Sequence, residues 1–385
     1  MERAFWKRRA LNISIAATNP CHLWPLAREL AAADALGCYY SGYPEWKLDD
    51  ANGVRIRTHS FRTKVVYGLL KYAPERLRPS SRSLFLWQDH GFDRWVGEHL
   101  EACDFVHAMP GQALVTFRGA KQLGATTVLN HATGPVREWV RIMEPEYARM
   151  GLKLTDYCPY NEAYFVREEE EYALADYHCA ASTVVRDQLI RIGVPADRIW
   201  VVPYGADPKI FHLPKTAPNE SSFHIIFAGM AGLRKGVRTL LEALTIAGRA
   251  DWQMSFYGAK LSEAERDFAE YRGATRLEFH GAVPQATLAE AMRSASVLVL
   301  PSLEEGFGLV VPQALNCGLP CLVSDRVGGK DLVRQRENGS IFPAQDANTL
   351  AVELAWWSEH PHRLTESFDW TGPARRLIAL SSSAT

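Results

Sequence analysis

Short apolar runs alternate along the chain with longer segments whose apolar residues recur every three or four positions. The runs have the composition of buried strands, and the longer segments have the spacing of amphipathic helices. Strands are predicted at Leu11–Ala17, Gly37–Ser41, Cys103–Ala108, Ala125–Asn130, Tyr177–Ala181, Ile199–Val202, Phe223–Ala228, Trp252–Tyr257, Leu277–Phe279, Val297–Leu300, Cys321–Ser324 and Asn338–Pro343. Helices are predicted at Leu23–Leu36, Gln112–Leu123, Arg167–Ala175, Val237–Ala247, Leu288–Ser294, Asp346–Trp357 and Trp370–Leu380, with a frayed tail from Ser381. This alternation predicts an α/β protein with parallel sheets.

The chain has 385 residues, which is too long for one ordinary core and predicts two domains. A proline-rich stretch, Pro203–Pro218, is the segment most typical of a linker. We therefore predict a first Rossmann-like domain at 1–205 and a second one at 206–365. Residues 366–385 would form a last helix and tail.

The stretch from Val297 to Asp325 has the most distinctive pattern. A buried strand leads into a glycine loop, and Pro312 fits only the first turn of a helix that begins near Leu309 and ends at Gly318. Helix N–H groups and a helix dipole then point at the space over Gly308, which favours an anion. Glu305 would stand beside that anion and accept hydrogen bonds.

The segment Pro301-Ser-x-x-Glu-Gly-Phe-Gly-Leu-Val-Val-x-x-Ala-x-x-Cys-Gly-Leu-Pro320 resembles the motif of the family-4 retaining glycosyltransferases. Pro203-Tyr-Gly-Ala-Asp207 with Phe211 resembles the interdomain signature of that family. The resemblance implies a GT-B fold, with two Rossmann-like domains that face each other across a cleft. It also implies an acceptor domain first and a nucleotide-sugar donor domain second, with the final helix crossing back onto the first domain.

Lys235 is the first candidate catalytic residue. It follows a predicted strand and Gly229, and the preceding Arg234 adds a second cation near the same helix start. Preorganised donors of this kind stabilise the charge that develops on a leaving diphosphate, and the resemblance assigns Lys235 to that group. Arg234 is the weaker candidate, because adjacent side chains on a helix point about 100° apart. A solvated pair at a helix start is the alternative, and relatives often have an Arg where this chain has Met230.

The resemblance also implies the other donor contacts. Glu305 would meet sugar hydroxyls, and the backbone around Phe307, Gly308, Leu309 and Val310 would hold sugar and phosphate oxygens. Gln313 replaces the Glu that receives ribose hydroxyls in relatives, and a neutral amide makes a weaker hydrogen bond than a carboxylate. Base recognition is expected from main chain near Val283.

His131 ends a predicted strand, at the edge where open parallel sheets bind ligands. A histidine at such a position is often only structural, but relatives place one against the transferred sugar. The family's glycine-rich turn after the first strand is replaced by Thr18-Asn-Pro-Cys-His22, so the acceptor-side roles of Asn19 and His22 stay open.

A net charge of −1 argues against a surface built for nucleic acid. Seven scattered cysteines without a C-x-x-C pair indicate reduced thiols rather than disulfides or zinc. No Asp-x-Asp or other metal-ligand cluster is visible, so we expect neither a metal nor another cofactor, and the nucleoside-diphosphate sugar is a substrate. We expect a cytoplasmic protein, either soluble or peripheral at the inner membrane face.

The segment 55–82 is strongly basic. A single acid, Glu75, stands among Arg55, Arg57, Arg62, Lys64, Lys71, Arg76, Arg78 and Arg82. A solvated charged face is one interpretation. The other is an amphipathic segment that rests on anionic lipid, which suits a lipid-linked acceptor.

Together these features predict a metal-independent retaining hexosyltransferase. It would move a hexose-type sugar from a nucleoside-diphosphate sugar to a glycan or lipid-linked acceptor in cell-surface polysaccharide biosynthesis. The leaving phosphate would act as base in a same-face displacement. The alternative is a non-catalytic GT-B module that binds nucleotide sugar or a protein partner. A dinucleotide oxidoreductase is disfavoured, because the first strand lacks the Gly-x-Gly-x-x-Gly turn.

Overall fold

The computed structural model describes residues 11–74, 76, 78–158, 160–214, 222–362 and 364–384. Its first domain is built on a parallel sheet with strand order β3-β2-β1-β4-β5-β6-β7. The strands are β1 Ile13–Ala17, β2 Leu36–Ser41, β3 Ile56–Thr58, β4 Phe105–Ala108, β5 Thr126–His131, β6 Tyr177–Ala180 and β7 Ile199–Val201. The helices are α1 Leu23–Ala32, α2 Phe61–Tyr72, α3 Ser81–His99, α4 Leu114–Gln122, α5 Val136–Arg149, α6 Leu154–Tyr157, α7 Glu162–Leu174 and α8 Thr183–Arg191.

The second domain repeats this architecture with strand order β10-β9-β8-β11-β12-β13, again parallel throughout the described residues. The strands are β8 His224–Ala228, β9 Gln253–Tyr257, β10 Arg276–Gly281, β11 Val297–Leu300, β12 Cys321–Ser324 and β13 Gly339–Phe342. The helices are α9 Val237–Ala247, α10 Glu265–Glu270, α11 Gln285–Ser294, α12 Val310–Asn316, α13 Ala347–Glu359 and α14 Thr371–Ala384. The two parallel-sheet domains together form a GT-B fold.

Each sheet reverses its winding direction once. In the first sheet β1 lies between β2 and β4, and in the second sheet β8 lies between β9 and β11. The loops that leave the carboxyl ends of the two neighbouring strands diverge there, and ligands of open α/β sheets bind in the crevice between them. These two switch points are therefore where the fold offers binding sites.

The chain changes from one core to the other at Gly205. Tyr204 packs in the apolar cluster of the first domain, whereas Ala206 and Phe211 pack in the second. The N–H of Ala206 donates to the carbonyl of Phe368 at 2.8 Å, which ties this crossing to the second one near the C-terminal end. The predicted linker residues 215–218, and 219–221 after them, lie outside the described residues, as do 1–10 of the predicted first domain.

α14 returns to the first domain, where its residues Ala374 and Leu377 pack in the cluster that also contains α1. Thr371 Oγ1 lies 3.2 Å from Glu29 Oε2 on α1. The prediction of a frayed tail from Ser381 is wrong, because α14 continues to Ala384 and Ser381 is fully buried. Packing against another domain overrides the weak helix propensity of consecutive serines.

Several elements of the first domain were not predicted, namely β3, α2, α3, α5 and α6. α5 contains an internal proline, Pro145, and proline in a sequence pattern normally marks the end of a helix. Its apolar residues Met143 and Tyr147 pack against Leu233 and Leu303 of the second domain. No helix within the described ranges has both the length and the apolar character needed to cross a membrane.

Candidate active site

Two loops meet at the switch point of the second sheet. Lys235 follows β8, and Glu305 follows β11, the neighbouring strand on the other side of the reversal. The Lys235 ammonium donates a hydrogen bond to Glu305 Oε2, and Nη1 of Arg234 lies 3.3 Å from the same oxygen. The predicted convergence of Lys235 and Glu305 is therefore present as a direct ion pair.

Arg234 belongs to this cluster to a greater extent than the sequence indicated. Its Nη1 donates to the carbonyl of Glu304 at 3.0 Å and lies 3.3 Å from the Glu304 carboxylate. The expectation that Arg234 and Lys235 diverge is wrong, because α9 begins only at Val237 and both cations precede it in a turn. The helical spacing of 100° does not apply to a turn.

Burial makes the charges of this cluster dependent on each other. Lys235 and Glu305 expose only 12% and 14% of their side chains, and Glu304 exposes 3%. Burial by itself raises the pKa of Glu305, but the positive charges of Lys235 and Arg234 outweigh burial and lower the pKa below its ordinary value. Burial lowers the pKa of Lys235, and burial also raises the pKa of Glu304. An entering anion therefore meets two cations that have few competing contacts with water.

Gly236 lets the two loops approach each other. Its φ is 67°, in the left-handed region, and a Cβ at this position would overlap the carbonyl oxygen of Pro301. Only glycine satisfies both conditions. This close approach places the start of α9 directly beside the loop that carries Glu305.

The predicted donor residues lie along one edge of the second sheet. Strands β10, β9, β8 and β11 are consecutive neighbours, and the loops after β10, β8 and β11 carry Val283, Lys235 and Glu305. Three strand spacings span about 14 Å. An extended ligand along this edge would meet Val283 at one end and Glu305 at the other.

The loop after Glu305 leads directly into α12. Gly308 is buried with φ 84°, Leu309 is 38% exposed, and Val310 and Gln313 are half-buried. α12 begins after Leu309, as predicted, but it has only seven residues. Because the dipole of a helix sums over its aligned peptides, the cations contribute more to anion binding here than α12 does.

Phe307 points away from this edge. Its ring is 2% exposed and lies 5.0 Å from the ring of Tyr204, within the apolar cluster of the first domain. Only the backbone of Phe307 is available to a ligand on the donor side. The side chain instead joins the two domains.

His131 is fully buried at the end of β5, where its Nε2 lies 3.0 Å from Nδ1 of His178. Burial lowers the pKa of His131 well below its ordinary value and lowers that of His178 to about 4, so both rings are neutral at pH 7. A hydrogen bond between His178 and the backbone of Tyr172 raises the pKa of His178, as expected when the ring N–H donates to a carbonyl. His178 therefore accepts from His131 Nε2–H, which leaves Nδ1 of His131 as a buried acceptor with no partner among the described residues.

The backbone beyond His131 contacts the second domain. A Cβ on Gly306 would overlap the carbonyl oxygen of Ala132, so the loop that carries Glu305 touches the loop that follows β5. Ser182 caps α8, and its hydroxyl also donates to the carbonyl of Gly306 at 2.6 Å. Asp331 Oδ2 accepts from the N–H of Thr183 at 2.7 Å. Both strand-end loops of the first domain therefore hold the second domain directly.

Sequence reasoning missed two functional features of this site. A position just before a helix predicts an ordinary surface carboxylate for Glu304, and this prediction is wrong, because Glu304 is buried and paired with Arg234. The bridge from Ser182 to Gly306 joins residues 124 positions apart, and no local pattern reports such a contact. Met230, where relatives often have an Arg, is 53% exposed. Within the described residues, no group of three or more His, Cys, Asp or Glu side chains is arranged to hold a metal ion.

Residues 209–371 match the family described as Glycosyl transferases group 1. Two curated relatives are each similar to a little less than half of this chain. A D-inositol 3-phosphate glycosyltransferase of Paenarthrobacter aurescens is 35% identical over 42% of this chain and 44% of its own length. A lipopolysaccharide 1,6-galactosyltransferase of Escherichia coli is 26% identical over 47% of this chain and 52% of its own length. The chain thus spans about half the length of these relatives.

Among solved structures, the Anabaena protein HepE in complex with UDP-glucose superposes with a TM-score of 0.61. The superposition covers 97% of this chain and 95% of the Anabaena chain, at 14% sequence identity. At this level of identity the likeness concerns the fold, which is shared from end to end.

Proposed function

Since residues 209–371 form a domain of the glycosyl transferases group 1 family within a two-domain GT-B fold, we propose that the protein is a retaining glycosyltransferase. It moves a hexose-type sugar from a nucleoside-diphosphate sugar to a glycan or lipid-linked acceptor in cell-surface polysaccharide biosynthesis. The observation that carries this proposal is the cluster of Arg234, Lys235 and Glu305 at the switch point of the donor sheet. The likeness to a lipopolysaccharide galactosyltransferase and to a protein that binds UDP-glucose supports it.

The donor lies along the edge formed by β10, β9, β8 and β11. The base meets the backbone near Val283, and the diphosphate lies over Gly308 and beside Lys235 and Arg234. Without donor, Glu305 neutralises Lys235. When a diphosphate binds, it pairs with the Lys235 ammonium in place of Glu305. The Glu305 carboxylate then becomes free to accept hydrogen bonds from sugar hydroxyls. Gln313 and the backbone of Phe307, Leu309 and Val310 complete this donor contact.

Charge stabilisation at the leaving group is the main catalytic effect. When the bond between the sugar and the diphosphate breaks, negative charge grows on the diphosphate. Lys235 and Arg234 are already positioned there in a largely dry environment, which makes their stabilisation of that charge strong. They supply the positive charge for which other enzymes use a metal ion. The released phosphate oxygen takes the proton of the acceptor hydroxyl, which enters on the same face of the sugar.

His131 is the proposed contact to the transferred sugar from the first domain. Its neutral ring holds the Nε2 proton toward His178 and leaves Nδ1 to accept a hydrogen bond. Because the ring is fully buried, contact with a sugar requires a movement, and the loop 132–134, which follows His131 in the chain, is the proposed moving part. Gly306 is in direct contact with that loop, so a shift of the Glu305 loop on donor binding would move the loop 132–134.

The outward face of α2 supports a peripheral membrane contact. Phe61, Lys64, Lys71 and Tyr72 share this face at helical spacing, and the rings of Phe61 and Tyr72 are 67% and 77% exposed. Aromatic rings flanked by lysines are typical of helices that lie on anionic membranes. The segment 55–82 has fewer unpaired cations than the sequence indicated, because Arg55 and Arg57 pair with Glu101. Its only acid, Glu75, lies outside the described residues.

Hydrolysis of UDP-, GDP- and ADP-hexoses in the absence of acceptor tests the proposal. We expect slow hydrolysis of at least one of them by the wild-type protein. Glu305→Gln should reduce the rate roughly 100-fold, because the lost carboxylate contacts both the sugar and Lys235. Glu290→Gln, an exposed change on α11, is the matched control. Binding of a nucleotide sugar without any turnover would instead support the non-catalytic module.

A further inference from the structure

A cavity of about 800 Å³ lies in the first domain beside the switch point of its sheet. Asn19, which directly follows β1, lines one side, and residues of α2 and α3 line another. The remaining wall comes from the end of α6, the segment that follows it and the first turn of α7, through Asp156, Tyr157, Cys158, Tyr160 and Tyr164. The cavity thus occupies the binding position of the first sheet that corresponds to the candidate active site of the second.

Aromatic rings form two walls of this cavity. Tyr67 and Phe85 meet edge to face with 6.2 Å between ring centroids, and Tyr160 and Tyr164 lie 4.3 Å apart at 33°. All four side chains line the cavity. Flat rings with polar tips offer a large apolar contact area together with hydroxyl groups, which suits a ligand with one apolar face and a polar rim.

Asp89 supplies a carboxylate to the same space. Its Oδ1 is buried and has no hydrogen-bond partner among the described residues. Burial raises the pKa of Asp89 to about 7, and a hydrogen bond with Thr18 and the positive charge of Arg167 offset only part of that effect. An unpaired buried acceptor costs stability in the free protein, so Asp89 gains from a ligand that donates a hydrogen bond to it.

The cavity adjoins the candidate active site through Tyr160. Burial raises the pKa of Tyr160 to about 12, and Arg234 is close enough to act on this hydroxyl electrostatically. Tyr157 and Tyr160 also pack with Leu233 and Leu303, which immediately precede the charged cluster. The wall of the cavity is therefore continuous with the apolar residues that immediately precede the charged cluster.

We propose that this cavity binds a neutral hexopyranoside ring of the acceptor. The apolar face of the ring packs on the tyrosine wall, and one hydroxyl donates to Asp89. A neutral ring fits better than a phosphate or a uronate, because Asp89 and Asp156 both line the space and Arg82 already donates to the carbonyl of Cys158. This inference rests on the proposed function and specifies the acceptor class.

Ionisation of Asp89 controls the binding. The carboxylate accepts a hydroxyl hydrogen bond more strongly than the protonated acid does, so binding should strengthen as pH rises through about 7. The titratable and charged groups that face Asp89 from the surrounding elements are Arg167, Asp93, Tyr160 and Tyr164, with Arg82 and Asp156 across the cavity.

Saturation-transfer NMR with the full chain and a panel of methyl hexopyranosides tests the proposal. We expect transfer to the ring protons of at least one glycoside, with about tenfold tighter binding at pH 8 than at pH 6. Asp89→Asn should weaken binding about tenfold and remove this pH dependence. Phe85→Leu, which keeps the apolar volume but not the ring, should weaken binding at both pH values. Asp197→Asn, an exposed change in the same domain, is the matched control.

Donor hydrolysis measured on the same variants separates this inference from the proposed function. Hydrolysis of the nucleotide sugar without acceptor does not require the acceptor cavity, so the wild-type rate and the rate of Asp197→Asn report on the donor site by themselves. Absence of saturation transfer from every glycoside in the panel, or glycoside binding unaffected by both substitutions, would overturn the acceptor cavity. Either result leaves the donor assay to decide the proposed function by itself.

Discussion

The side chains at the candidate active site can stay charged although they are largely buried, because each charge is neutralised by one of opposite sign. Arg234 and Lys235 stand against Glu304 and Glu305, and three of the four side chains are less than 15% exposed. Breaking such a group by removing one member costs more than the group contributes as a whole, because a buried charge is left without its partner. A diphosphate can enter only by replacing one of these carboxylates at the cations.

Lys235→Met tests which phosphate the lysine meets. The substitution keeps the length of the side chain and removes its charge. Loss of one charge-assisted hydrogen bond of about 1.5–3 kcal/mol should weaken nucleoside diphosphate binding roughly 10- to 150-fold. Nucleoside monophosphate binding should change little, because it lacks the second phosphate. Isothermal titration of both nucleotides gives the comparison.

Lys153→Met, an exposed change in the first domain, should leave both affinities at the wild-type value. Equal weakening of monophosphate and diphosphate binding by Lys235→Met would place the ammonium elsewhere along the nucleotide.

Glu168 predicts a pH-dependent stability. It is buried, its Oε2 accepts from the N–H of Val136 at 3.0 Å, and burial raises its pKa to about 7. The folded protein therefore holds a proton that the unfolded chain releases near pH 4.5. The stabilisation is complete below that pH and is lost as pH rises through about 7. Glu168→Gln imitates the protonated acid and should remove this loss, which amounts to about 3 kcal/mol.

Thermal unfolding followed at pH 5 and pH 8 checks this prediction. The wild-type midpoint should fall relative to that of Glu168→Gln as pH rises, with the two proteins similar at pH 5. Glu170→Gln, an exposed neighbour on α7, should titrate like the wild type. A constant difference between wild type and Glu168→Gln at both pH values would show that ionisation of Glu168 is not the cause.

At the scale of elements, α2 differs from the other helices of its domain. Its inward face is limited to Thr63 and Val66, while its outward face presents aromatic rings and lysines to solvent. Large exposed aromatic residues on a helix with so little buried surface indicate a surface made for contact with something outside the chain. Because Tyr67 of this helix lines the cavity, the same element would link the proposed membrane surface to the proposed acceptor site.

Replacing Phe61 and Tyr72 by Ser should reduce binding to anionic vesicles. We expect cosedimentation with phosphatidylglycerol vesicles to fall at least tenfold, since both rings lose their apolar contact. Lys64→Gln with Lys71→Gln should reduce binding by about 1 kcal/mol for each charge, and only at low salt. The matched control is Trp46→Ser, an exposed aromatic residue outside α2. Wild-type sedimentation of the Phe61 and Tyr72 variant would end the membrane proposal.

At the scale of the whole molecule, the two domains meet through apolar clusters around Leu233 and Phe307 and through specific polar contacts. Ser182 bonds the backbone of Gly306, Thr183 bonds Asp331, and Gln345 Nε2 donates to Glu146 at 2.7 Å. The chain also crosses between the domains twice, at Gly205 and near Phe368. Such an arrangement supports a hinge at the crossings and a separable contact at the cleft. The loop bearing Glu305 makes the cleft contact and also belongs to the proposed donor site, so donor binding and the cleft contact should be coupled.

Gly306→Ala should open the cleft. The added methyl group would overlap backbone atoms of Ala132 and Thr133, which cannot give way as a flexible side chain does. We expect a larger radius of gyration in solution scattering and donor hydrolysis reduced about tenfold or more. Gly68→Ala is the control, because a Cβ there meets nothing within 4 Å and alanine favours the helix. Unchanged scattering together with wild-type hydrolysis would mean that the cleft contact has no role in catalysis.

The sequence by itself determined the features that depend on neighbouring residues. Every strand except β3, the glycine loop ending at Gly308 and the start of α12 follow from patterns within about ten residues. The convergence of Lys235 and Glu305 was also within reach, because parallel strands bring their carboxyl ends to one edge of a sheet.

Only the tertiary structure decided which charged groups pair with each other and which side chains line the same cavity. The pairing of Arg234 with Glu304, the burial of His131 against His178 and the cavity around Asp89 each join side chains from different elements. Pattern reasoning reports which face of an element is apolar, but it does not report which polar group a distant element brings to that face. Those contacts depend on how helices and domains pack, and packing involves the whole chain at once.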